Sequence, residues 1–171
     1  SADKMTQPAY RDIVEQDVPV IQEEQAIVRV LSGTYNGTDG AFKGDYVNVQ
    51  YLDIDLNPEH EWHYSQTSND HTLFLYLISG TLAADQALES YESKACAMLM
   101  SATSGNPESY DTVSVKAGPE GARFFLIAAR PLRESVSWGG PIVMNTKDEL
   151  DVAFKELENN TFIKHPMPRF N

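Results

Sequence analysis

The chain has a single cysteine, Cys96, so no disulfide can form within it. Cations are scarce: 13 lysines and arginines stand against 25 aspartates and glutamates, a net charge of −12. Such a surface repels phosphate backbones and anionic lipid head groups, so neither direct nucleic-acid binding nor membrane docking is expected. No run of eighteen apolar residues and no leader-like pattern occurs, and the default expectation is a cytoplasmic location. Catalytic signatures are missing as well. There is no Gly-x-Ser-x-Gly elbow and no cysteine–histidine pair in a useful context. Gly33-Thr34-Tyr35-Asn36-Gly37 lacks the Lys-Ser/Thr and the helix start of a phosphate-binding loop, so it reads as a hairpin or strand connection. Cys96 sits in the apolar stretch 95–100 with no nearby cation to lower its pKa, and reads as a buried core thiol. Neither an internal repeat nor a low-complexity tract is visible.

What is present is strand signal. At 171 residues with 42% hydrophobic content, the chain suits one globular domain that buries about two-thirds of its unfolded surface. Ala26, Val28 and Val30 alternate with Ile27, Arg29 and Leu31. Val47, Val49 and Tyr51 share one parity, and Leu52, Ile54 and Leu56 take the other, which predicts a bulge or bend inside that strand. Asp53 and Asp55 alternate with those leucines and isoleucine and are expected on the solvent face. Residues 73–78 and 122–129 are apolar throughout, which predicts strands covered on both faces. Turn material separates these runs at 36–40, 104–107 and 118–121. Strands, short glycine-rich turns and one late helix read as an antiparallel sandwich or barrel closed by a helix.

That helix is the best-specified element. Thr146 and Glu149 have capping-box spacing, and Asp148, Glu149 and Asp151 place negative charge near the helix start. Leu150, Ala153, Phe154 and Leu157 recur at one face, and Asn159-Asn160 supplies a stop.

The candidate site chemistry is confined to His60, Glu61, His63 and His71. On a regular strand, residues three apart point to opposite faces, so His60 and His63 have the wrong parity to share one ion. Glu61 and His63 do share a face, and His71 could approach across a turn, a two-histidine, one-carboxylate set in outline. The competing reading makes them rim residues of a hairpin, with Trp62 and Tyr64 on the packed side. Between Gly80 and Phe124 no histidine occurs, and His165 lies in a proline-rich tail.

Gly139-Gly140-Pro141-Ile142-Val143-Met144-Asn145-Thr146, followed by an acidic-apolar helix containing Ala153-Phe154, resembles the closing segment of the pirin family. Other stretches agree in order. Ala2-Asp3-Lys4-Met5 through Pro8-Ala9-Tyr10-Arg11-Asp12-Ile13 is similar to the segment joining the two halves of a pirin. Tyr51-Leu52-Asp53-Ile54-Asp55-Leu56, Leu75-Tyr76-Leu77-Ile78-Ser79-Gly80, and Ala122-Arg123-Phe124-Phe125-Leu126-Ile127-Ala128 with Pro131-Leu132 are similar to its core strands. The resemblance runs from about residue 2 to about residue 163, and it implies an all-β, cupin-type double-stranded β-helix (a jelly-roll barrel or sandwich) with a C-terminal α-helix. The implied organisation is an inter-domain segment over 1–20, the cupin over 21–145, the helix over 146–160 and a tail over 161–171. Pirins carry two cupins, with iron on histidines and a glutamate of the N-terminal one. The resemblance therefore implies that this chain is the C-terminal half, a fragment without catalytic, cofactor or metal residues of its own. Its expected partner is the N-terminal cupin, with protein partners or self-association through an uncovered apolar patch of several hundred Å² as further expectations. The alternative is a stand-alone metal-dependent cupin dioxygenase using the His60/Glu61/His63/His71 cluster.

Overall fold

The computed structural model describes residues 4, 6, 10–65, 70–93, 95–100 and 112–164. Among these residues the fold is β-rich with one α-helix, and the chain divides into two units, residues 13–131 and residues 1–12 with 132–171. The expected turn at 104–107, the tail beyond 164 and residues 1–3, 5 and 7–9 of the lead-in segment lie outside the described residues.

In the larger unit, strands β1 (Val20–Gln22), β2 (Ala26–Ser32), β5 (Val49–Leu56), β10 (Thr112–Ala129), β7 (Thr72–Ala83) and β8 (Tyr91–Ser93) lie side by side in that order. β6 (Glu61–Ser65) joins through β10, and β9 (Ala97–Met100) joins through β7. All these pairings are antiparallel. The short pair β3 (Thr34–Tyr35) and β4 (Thr38–Asp39) is a hairpin. Its turn residues Asn36 and Gly37 have φ of 47° and 77°. Two residues with positive φ make the primed turn that matches strand twist, and Asn-Gly is its favoured sequence. The glycine-rich stretch is thus a hairpin, as its sequence predicts.

Alternation decides the core. Ala26, Val28 and Val30, then Leu52, Ile54 and Leu56, Leu73, Leu75 and Leu77, and Phe124, Leu126 and Ala128 all point to one side and form one buried cluster with Trp62, Tyr64 and Val115. The pairing of β5 with β10 runs without a break from Val49 to Leu56. The apparent phase change is therefore no bulge in β5: Val49 and Tyr51 are simply apolar residues on the other face. The irregularity sits on the neighbouring strand, between Val30 and Ser32.

A second difference concerns residues 118–121. They read as a turn, but β10 continues through them. Its early part pairs with β6 and its later part with β5, and its pairing with β7 shifts register between Ala117 and Ala122. The segment is a corner within one long strand, and Pro119 is tolerated because the ladder is interrupted there. Closeness explains the glycines. A Cβ on Gly80 would lie 2.0 Å from the Gly121 carbonyl oxygen, and both residues have φ of 78°.

The other unit holds the hairpin of β11 (Ser137–Gly139) and β12 (Ile142–Met144) and helix α1 (Lys147–Glu158). The Thr146 hydroxyl accepts from the Glu149 backbone N–H at 3.2 Å, and the Glu149 carboxylate accepts from the Thr146 N–H at 2.9 Å. Ile142, Leu150 and Ala153 form its small core. Asn159 caps the end, and Asn160 takes a left-handed φ of 59°.

Candidate functional site

β6 carries most of the predicted site residues, and its alternation sorts them. Trp62 and Tyr64 turn into the core, while Glu61, His63 and Ser65 are exposed. Opposite them on β10, Ser114 stands beside His63 and Lys116 beside Glu61. The His63 ring nitrogen Nδ1 lies 2.9 Å from the Ser114 hydroxyl. His60 precedes the strand and its Nδ1 lies 2.8 Å from the Pro58 carbonyl. His71 lies just before β7, where Asp70 is 3.9 Å away. Glu61 and His63 thus share a face, His60 is engaged by its own turn, and His71 faces an aspartate. No group of three or more histidine, cysteine or carboxylate side chains is placed to hold a metal among the described residues. An iron ion needs several convergent donors, and these four residues do not fit that requirement. His165 lies outside the described residues.

The interior behind β6 is filled by side chains. Trp62 stacks near Tyr64 and meets Phe124 edge-on, and Tyr35 closes the aromatic group. One carboxylate serves it. Glu23, in the turn between β1 and β2, accepts from the Tyr35 hydroxyl at 2.6 Å, from the Trp62 indole at 3.0 Å and from the Asn36 amide at 3.2 Å. Burial, and then the Glu23 carboxylate, raise the Tyr35 pKa well above 10. Burial also raises that of Tyr64. Nothing local to Glu23 marks it beyond its place between two strands, because its partners lie 12, 13 and 39 residues away.

On the opposite side of the sheet, Asp53 corrects the solvent-face expectation. It faces away from the core, yet it is only 5% exposed. Arg123 donates to it through Nε at 3.0 Å and Nη2 at 2.7 Å, and Arg29 approaches at 3.9 Å. Arg29 also binds Asp55 at 2.7 Å. The hydrogen bond to Asp53 holds the Arg123 guanidinium more firmly protonated. Around this ionic group stand Tyr51, Phe125 and Tyr76, with Phe125 edge-on to Tyr51 and stacked with Tyr76. The outward residues of 73–78 and 122–129 are half-buried or exposed rather than covered. Cys96 is also only half-buried, because it precedes the short strand β9 instead of sitting in the core.

An antiparallel sheet whose packed side is filled with leucine and aromatic side chains, with a short helix after the last hairpin, defines a cupin-type sandwich. Comparison with known proteins takes this further. The model of the pirin C-terminal cupin domain matches residues 51–163, and the chain belongs to the pirin family. It is 31% identical to the pirin of Homo sapiens over 161 residues, covering 93% of this chain and 52% of that protein. Pirin-1 of Arabidopsis thaliana is 30% identical, with 93% and 53% covered. The solved structure of a quercetin 2,3-dioxygenase from Acinetobacter baumannii superimposes with a TM-score of 0.79 at 25% identity, over 95% of this chain and 53% of that one. The chain therefore spans about half the length of these relatives. No helix among the described residues is long and apolar enough to cross a membrane.

Proposed function

We propose that this chain is a non-catalytic C-terminal cupin that packs against and completes a metal-bearing N-terminal cupin. Iron would belong to that other half, and the whole protein would act either as a quercetin 2,3-dioxygenase-type oxidoreductase or as a regulator working through protein partners. The reading rests above all on the parity of β6. The strand that carries His63 sends Trp62 and Tyr64 inward, so the packed interior receives aromatic rings where a metal-bearing cupin needs imidazoles and a carboxylate. The A. baumannii relative supports the dioxygenase side of the proposal by its title, and the half-length match supports a second half.

Metal analysis and quercetin turnover of the purified chain test this. The expected result is substoichiometric metal, no turnover, and no change in either on His63→Ala. Stoichiometric iron that disappears in His63→Ala would return the histidine cluster to the centre of an enzyme.

A further inference from the structure

The strand registers arrange the outward side chains of the larger unit in rows across the sheet. One row reads Val20, Arg29, Asp53, Phe125, Tyr76, Ala97 from β1 to β9. The next row toward the Gly80 end holds Ile27, Asp55, Arg123 and Ser79, and the row on the other side holds Tyr51, Ile127, Phe74 and Leu99. Tyr76 is 39% exposed, Val20 50% and Leu99 71%.

This face carries balanced charge. Its two arginines and two aspartates cancel, whereas the chain as a whole carries −12. Two chains of that net charge repel each other, and a neutral surface adds no like charge where they touch. The face is also wide enough. Six strands about 4.8 Å apart and three to four rows give roughly 25 by 20 Å in plan. With side-chain relief, that approaches the ~800 Å² per partner of a stable contact.

We propose that this face docks on the same face of a second copy, about a twofold axis that runs along the strands between β5 and β10. The rows themselves argue for that axis, because an isologous contact requires each residue to meet its mirror position. In the central row Arg29 then covers Tyr76 of the second copy, a cation over a ring, and Val20 meets Ala97 of the second copy. In the ionic row Arg123 meets Asp55 of the second copy. Their side chains are 43% and 40% exposed and so remain within reach of a partner. In the apolar row Tyr51 meets Ile127 of the second copy. Two twisted sheets packed face to face keep their strands within about 30° of each other, which preserves these matches near the axis. The contact needs only this chain, and it stands or falls separately from the proposed metal-bearing partner.

Sedimentation velocity on the full chain across a micromolar concentration series tests it. A species of twice the 19.1 kDa chain mass is expected. Tyr76→Lys and Val20→Lys should each weaken the dimer by about tenfold or more, since each sets a second cation against Arg29, of the second copy for Tyr76 and of the same chain for Val20, on a surface the contact buries. Lys116→Ser, on the early part of β10 that pairs with β6, should leave it intact. Val20 is half-exposed on an edge strand, so its variant folds and decides the question even if Tyr76→Lys does not. A monomer at every concentration, or a dimer indifferent to both lysines, overturns the proposal; the former would assign the face to a different protein.

Discussion

Two carboxylates show what a single residue can do here. Glu23 is the acceptor for the Tyr35 hydroxyl and the Trp62 indole, both of which are nearly buried. Removing it strands those donors at about 1–3 kcal/mol each. Glu23→Ala should therefore lower the urea midpoint clearly, while Glu23→Gln, which keeps an acceptor oxygen, should recover part of the loss. Asp53→Ala leaves Arg123 and Arg29 without their buried acceptor. Because both guanidinium groups still reach water, the cost should be about 1–3 kcal/mol rather than that of an isolated buried charge. Denaturant titration of the variant checks it. The sequence placed Asp53 on the side away from the core, which is right, and exposed it, which is not. Its burial comes from Arg123, 70 residues away, and that proximity is a matter of strand register that no local pattern encodes. The histidines were legible for the opposite reason. Parity along five residues of β6 is a local property, and it sets which side chains face inward.

Elements were legible where backbone chemistry is local. The capping box predicts α1 to within a residue of its start, and Thr146→Ala should cost about 1 kcal/mol, seen as a lower melting temperature of the helical signal. The corner in β10 was not legible, because Gly-Pro-Glu-Gly is equally good material for a turn. What makes it a corner is the close passage of β7 at Gly80. Gly80→Ala should cost about 3 kcal/mol or more, through both its left-handed backbone and contact with the Gly121 carbonyl. Circular dichroism of the soluble fraction reads this as loss of the folded chain.

At the scale of the whole molecule, alkali is the revealing perturbant. Tyr35 and Tyr64 keep their protons in the folded state to higher pH than in the unfolded one. A pKa raised on folding contributes stability that is complete below the unfolded value of about 10 and is lost as pH rises toward the folded value. Stability should therefore hold up to about pH 10 and decline above it. Absorbance titration should show fewer than the 8 tyrosines ionising until the chain unfolds.

Strand β10 is bonded along residues 122–129 to β5 on one flank and β7 on the other, and along 112–116 to β6. Its amides in the later segment donate alternately to one flank and the other, so the segment as a whole can meet deuterium only after both neighbours have let go. Those hydrogens should consequently be the slowest to exchange, and their rate should report the opening of the entire sheet at once. A mutation anywhere that loosens the sheet will be felt there, like slack in a seam that holds two panels of cloth.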